Sequence, residues 1–251
     1  MKFLLILLFV FGAPMGFAQC PDEGKAWFGG DFGHHEFISF CPSYDFAEGG
    51  ATATRWSILN PIDIRQAAPA VLSMKQAVEQ KIRAYAGESF FSRLSFSSVR
   101  VVYLDSIAQF SGFGAGINLA RCKCKYFLTY YFRPVSAATS PKAAYCVGIA
   151  VDEQGTILSP FTFPSEQDYQ PVEPTLTVCE VIARARQFAP KLGPIAEVRF
   201  EYDSSSKRFY WLVEQEVTSP KRGENIFTQI VIDAANPAQV KAQKARSYRS
   251  Q

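Results

Sequence analysis

RCKCKYFLTYYF, residues 121–132, places two cysteines one residue apart at the head of an aromatic run. Read as a strand, it puts Cys122, Cys124, Tyr126, Leu128, Tyr130 and Phe132 on one face, and Lys123, Lys125, Phe127, Thr129, Tyr131 and Arg133 on the other. The cysteines then fall on the apolar face, where Cys behaves as a small hydrophobe. This spacing points to core packing or a disulfide ahead of a metal site.

The neighbouring segments extend the pattern. In PAVLSMKQAVEQKIRAYAG (69–87), Val71, Met74, Val78, Ile82 and Tyr85 recur at spacings of three and four, so they line one helix face. Lys75, Gln76, Glu79, Gln80 and Arg83 form its wet face, and Gly87 is positioned to end it. Strand candidates follow at 98–105 (SVRVVYLD), at 122–132, and at 144–159 (AYCVGIAVDEQGTILS), the last bending at Asp152–Gly155. The order then repeats. TVCEVIARARQFAP starts with Thr177 and Glu180 in capping-box spacing, carries Val178, Val181, Ile182, Ala185 and Phe188 on one face, and breaks at Pro190. Strands are predicted at 197–202, 208–217 and 225–233, with Val198, Phe200 and Tyr202 alternating against Glu197, Arg199 and Glu201. The expected fold class is α+β: two tandem helix-plus-antiparallel-sheet units at 67–160 and 175–240, joined by the proline-rich stretch 160–174. An irregular N-terminal segment (19–66) precedes them and a basic tail (241–251) follows.

Within 177–240, the run EVIARARQFAPKLGPIAEVRFEYDSSSKRFYWLVEQEV, closing on IVIDAANPAQV, resembles a PepSY-type module. The likeness lies in an Ala-containing helix, a Gly-Pro turn, a charged strand, a Tyr/Trp strand and an apolar strand ending in Asp. In that family the last strand runs into a Gly turn, where this chain has Asn236 and Pro237. The stretch Val151-Asp152-Glu153-Gln154-Gly155 matches that feature more closely. PepSY modules are similar to cystatin-like folds. The resemblance implies cystatin-like units and a secreted or periplasmic binding or inhibitory domain, met in connection with peptidases, without catalytic residues.

The chain opens with MKFLLILLFVFGAPMGFAQC: basic Lys2, an apolar run from Phe3 to Phe11, a break at Pro14, and small Gly16 and Ala18. Residues 1–18 thus read as a secretory signal peptide cleaved after Ala18. The apolar run is well short of the roughly twenty residues a membrane-crossing helix needs, and no later segment reaches that length. Lipid attachment at Cys20 is disfavoured by Gln19, because acylation wants a small residue before the cysteine. The expected location is therefore periplasmic or secreted. A formal charge of +3, reduced by one when Lys2 leaves, argues against nucleic acid as a partner. Lys241, Lys244, Arg246 and Arg249, with no acid after Asp233, read as a solvated terminus or a contact for an anionic surface.

Six cysteines in an exported chain permit disulfides. If the second and third strands form a hairpin around 137–141, register brings Cys146 near Tyr130 rather than near Cys122 or Cys124. Cys41 or Cys20 is then the better partner for one of that pair, and Cys20, Cys41, Cys122 and Cys124 are the disulfide candidates. His34 and His35 with Cys41 are chemically competent zinc or copper ligands. Adjacent residues of an extended segment, however, project to opposite sides, and no C-x-x-C or H-x-x-x-H pair supports the site. SGFGAGIN (111–118) lacks the strand–loop–helix context and the lysine of a phosphate loop. No G-x-S-x-G or H-E-x-x-H marks a hydrolase. Phe127 and Tyr131 beside Lys123, Lys125 and Arg133 suit a recognition surface, unless that face is covered by the N-terminal segment or the second unit. The expected function is an exported, non-catalytic binding protein that recognises or inhibits a peptide or protein partner, with no cofactor. The alternatives are a periplasmic small-ligand or metal carrier and a hydrolase whose site has no sequence motif.

Overall fold

In chain order the elements are β1 (Ala26–Trp27), β2 (Gly29–Gly30), β3 (Ser43–Ala47), β4 (Ile62–Asp63), α1 (Pro69–Phe91), β5 (Leu94–Val102), β6 (Tyr126–Phe132), β7 (Tyr145–Val151), α2 (Val178–Phe188), β8 (Ile195–Asp203), β9 (Arg208–Gln215), β10 (Gly223–Asp233) and β11 (Val240–Arg249). This computed structural model describes residues 20, 22–30, 41, 43–50, 61–103, 122–134, 142–172, 176–217 and 223–249. The strands form two sheets, one of six in the order β2-β7-β6-β5-β3-β4 and one of five in the order β1-β8-β9-β10-β11.

One apolar core serves both sheets and both helices. Its centre is a stack of phenylalanines in the order Phe90, Phe132, Phe209 and Phe200, with successive ring centroids 5.0, 4.8 and 5.0 Å apart. Phe90 comes from α1, Phe132 from the six-stranded sheet, and Phe209 and Phe200 from the five-stranded one. The helices present the stripes that make this possible. Val71, Val78, Ile82, Ala86 and Phe90 are the buried side of α1, and Val178, Val181, Ile182 and Ala185 that of α2. At the start of α2 the Thr177 hydroxyl accepts from the Glu180 N–H (3.2 Å), and the Glu180 carboxylate accepts from the Thr177 N–H (2.7 Å). This reciprocal cap satisfies two donors that a helix start leaves over.

The sheets meet through residues 26–30. Ala26 and Trp27 pair in parallel with Val198 and Arg199, and two residues later Gly29 and Gly30 pair in parallel with Tyr145 and Cys146. Five residues thus splice the facing edges of β8 and β7. The approach is so close that a Cβ on Gly29 would sit 1.8 Å from the Phe200 carbonyl oxygen, so only glycine fits.

This architecture corrects the expected one. Among the described residues the protein is mostly β, built on two mixed sheets with two α-helices, and is not a pair of helix-plus-antiparallel-sheet units. Three strand pairs among the described residues are parallel: β1 with β8, β2 with β7, and β3 with β4. The physical reason is that residues 19–66, expected to be irregular, supply strands to both sheets. Likewise residues 240–249, read as a solvated basic tail, are a strand paired along its length with β10. The alternation proposed for 122–132 begins only at Tyr126, so Cys124 leaves the face of Tyr126 and Leu128 and packs with Phe127 in a separate cluster. The glycine-rich 111–118 lies outside the described residues.

Gly87 ends the first helical stretch of α1, and a second short stretch continues beyond it. It adopts φ +76°, ψ 165°, and the helical path resumes to Phe91. The kink interrupts the i to i+4 ladder, and the Tyr85 carbonyl instead accepts from the Glu166 N–H at 2.9 Å. This docks the segment carrying Phe161 and Phe163, whose rings lie 4.6 and 5.6 Å from that of Tyr85. An added Cβ at Gly87 would meet the Glu166 side chain at 2.8 Å in a backbone region open to glycine alone. Gly87→Ala is therefore expected to destabilise the protein by about 1–3 kcal/mol in urea unfolding, with the midpoint lowered and the slope unchanged.

Candidate functional site

The residues proposed from sequence as a binding surface sit in different settings. Phe127 is only 4% exposed, and its ring fills the space above Gly148, where a Cβ would lie 2.6 Å away. Tyr131 is half-buried and stacked on Phe28 at 5.3 Å, with the Arg133 guanidinium 5.2 Å from the Tyr131 ring centre. The Lys125 ammonium lies over the Tyr103 ring at 4.6 Å, and Lys123 is exposed. The N-terminal segment thus covers part of this face, through Phe28 over Tyr131 and through Cys41 beside Phe127.

Of the proposed metal ligands, His34 and His35 lie outside the described residues, and the Cys41 sulfur is bonded to Cys122. Among the described residues no three His, Cys, Asp or Glu side chains are placed to hold a metal ion. Two disulfides are present. Cys41–Cys122 joins the N-terminal segment to the entry of β6, and Cys20–Cys179 joins it to α2. Of the two partners expected for the Cys122/Cys124 pair, Cys41 or Cys20, it is Cys41 that bonds, to Cys122, while Cys20 pairs with Cys179 on α2. That bond occupies the sulfur a lipid thioether would need. Cys124 and Cys146 are buried thiols. Two bridges suit an oxidising compartment, and no described helix is long and apolar enough to cross a membrane.

A different surface has the form of a site. β11 is the last strand of its sheet, and among the described residues no strand pairs with its outer edge. Beside it, Arg184, Gln187 and Phe188 of α2 face Pro237, Ala238 and Val240 across an open groove of about 320 Å³. Phe188 is 48% exposed there, and Ile226 on β10 is 59% exposed. Both are large apolar side chains left to solvent near a ten-residue edge strand. The sequence gives the amphipathic face of α2 but places Phe188 on its buried side. In the fold α2 ends before covering β11, and Phe188 overhangs the groove.

A polar ladder holds the edge in place. On the outer face of the sheet Arg199 (β8) pairs with Glu214 (β9), Glu214 accepts from the Gln229 amide (β10) at 2.9 Å, and Gln229 accepts from the Gln243 amide (β11) at 2.7 Å. Four strands are thereby linked side chain to side chain. Arg199 also lies 3.0 Å from Glu197, with its Nε–H not aimed at that oxygen, and 3.2 Å from Glu201, so one cation faces three carboxylates. Glu201 in turn accepts from the Gly30 N–H at 2.8 Å, which ties the ladder to the splice between the sheets. Burial pushes the Glu197 and Glu201 carboxyls above their ordinary range, against the pull of Arg199.

No protein family, curated protein or solved structure matches this chain.

A carboxyl whose pKa is raised by folding binds more protons folded than unfolded, so its contribution to stability is full at low pH and declines as pH rises through the carboxylate range. Removing Arg199 leaves the three glutamates to repel one another and raises these pKa values further. Arg199→Met is expected to cost about 1–2 kcal/mol at pH 7 after allowance for solvent screening, and clearly less at pH 4. Paired urea unfolding curves at the two pH values measure the difference.

Proposed function

We propose that this exported protein is a non-catalytic binding protein that captures an extended, acidic segment of a peptide or protein by strand addition to β11. The observation that carries the reading is the long outer edge of β11 lying beside a groove headed by a half-exposed Phe188. An edge strand offers alternate backbone N–H and C=O groups to a partner strand, and a neighbouring pocket reads its side chains. The groove is open and near the lower end of ligand-pocket volumes, so it suits one or two side chains of a bound segment better than an enclosed small molecule.

Charge selects the occupant. From Val240 onward the chain carries Lys241, Lys244, Arg246 and Arg249 and no acid. Such an edge repels a second copy of itself, which is how natural sheets avoid edge-to-edge aggregation, and it attracts an acidic strand. Arg184 adds a further cation at the groove. The likeness of 177–240 to PepSY-type binding modules points the same way, and the signal-like first 18 residues place the encounter outside the cytoplasm.

The test uses two blocked decapeptides, one alternating Glu and Val and one alternating Lys and Val, titrated against the protein by fluorescence anisotropy. The acidic peptide should bind and the basic one should not. Phe188→Ala and the pair Lys241→Glu with Lys244→Glu should each weaken the acidic peptide about tenfold or more, equivalent to about 1.4 kcal/mol, without lowering the melting temperature. Equal binding of the two peptides, or acidic-peptide affinity unchanged by both variants, contradicts the reading.

A further inference from the structure

The outer face of the six-stranded sheet holds a second, smaller apolar cluster. Cys41, Val102, Cys124, Phe127 and Ala150 are buried in it, and Cys122 and Leu158 pack against it. Three of the six cysteines of the chain thus converge at one place. Cys41 and Cys122 are bonded to each other, and Cys124 contributes a thiol that is 2% exposed.

The backbone explains the convergence. The Lys125 N–H donates to the Val151 carbonyl at 2.8 Å, and the Val102 N–H donates to the Lys125 carbonyl at 2.9 Å. Lys125 is thereby clamped between β5 and β7, while residues 122–124 precede the regular strand. Freed from strand alternation, both cysteines of Cys122-Lys123-Cys124 reach the cluster that contains Cys41. The two differ in setting: Cys122 is half-buried at the rim and Cys124 is inside.

We propose that Cys41, Cys122 and Cys124 form a thiol–disulfide exchange site, in which the bridge passes from Cys41–Cys122 to Cys41–Cys124 and leaves Cys122 as a reactive thiol at the rim. In the step, the Cys124 thiol gives its proton to solvent and the thiolate attacks the Cys41 sulfur. The Cys41–Cys124 bond forms as the Cys41–Cys122 bond breaks, and the electron pair leaves on the Cys122 sulfur, which takes a proton from solvent. The two forms are isomers, so neither oxidant nor reductant is consumed. The surroundings set the pace. Burial pushes the Cys124 thiol up to about 11, opposed by the Arg100 guanidinium, which is itself held by Asp45 at 2.8 Å. Exchange is therefore slow near neutrality and quickens as pH rises. The released Cys122, half-buried at the rim, is within reach of a disulfide on a small molecule or another protein.

In the wild-type chain trypsin releases Cys122 and Cys124 on identical Cys-Lys dipeptides. The conservative Lys125→Arg protein separates them as Cys-Lys and Cys-Arg. This protein is incubated without added thiol at several pH values, quenched in acid, alkylated, digested and mapped by mass spectrometry. The proposal expects the Cys41–Cys124 linkage to appear, with an initial rate rising about tenfold per pH unit below the thiol pKa. A companion variant, Cys122→Ala, oxidised with glutathione disulfide, should form Cys41–Cys124 and leave one thiol per chain, that of Cys146, on unfolding. The proposal is overturned if Lys125→Arg shows Cys41–Cys122 alone at every pH, or if folded Cys122→Ala keeps both Cys41 and Cys124 as thiols.

Discussion

The contact of Phe132 with Phe90 on one side and Phe209 on the other is the interaction on which the rest of the structure depends. It is where the six-stranded sheet, the long helix and the five-stranded sheet touch at once. Aromatic rings at these separations contribute through buried area and a further favourable pairing term. The geometry matters as much as the energy. With Phe200 and Trp211 continuing the cluster on the far side, neither sheet has a complete core of its own. The splice at 26–30 follows from this arrangement, because sheets brought this near by their cores leave the edges of β7 and β8 facing each other. A short extended segment with glycine at position 29 fills the space.

Once those inner edges are joined, the outer edges become the distinguishing surfaces. At one end stands β4, two residues long, and at the other β11, ten residues long. The ladder from Arg199 to Gln243 holds β11 flat against the sheet, and the end of α2 leaves the neighbouring face open. The proposed strand capture is thus a consequence of where α2 stops and where the polar ladder runs. The basic residues that keep this edge from pairing with itself are the same ones that would choose an acidic partner.

Much of the local structure was legible in the residues. The Thr177–Glu180 cap, the stripe from Val71 to Ile82 and the alternation of Val198 and Phe200 are short-range patterns, and periodicity reports them directly. What periodicity could not report is which elements share a core. Helix-then-strands read twice along the chain suggested two separate units, but Phe132 and Phe209, on different sheets, pack face to face. The parallel pairing of Ala26 with Val198 joins residues far apart in sequence, and a two-residue strand has no period to detect. Alternation leaves Phe127 either on the surface or under a covering segment, and only the fold shows that Gly148 leaves room for its ring and that Cys41 and Cys122 pack in the same cluster. Cys179 sits on a helix with nothing in its local sequence to name Cys20 as partner. The candidate site is hidden for a related reason: the exposure of Phe188 depends on the position of β11, whose basic sequence resembles a solvated tail.

Native-state hydrogen exchange tests the shared core most directly. If the phenylalanine stack makes the two sheets one cooperative unit, the slowest amides of β5, β6 and β7 and those of β8, β9 and β10 will report the same free energy of opening, equal to that of global unfolding. Two separate plateaux, with one sheet exchanging at a distinctly lower free energy while the other stays protected, would contradict the account.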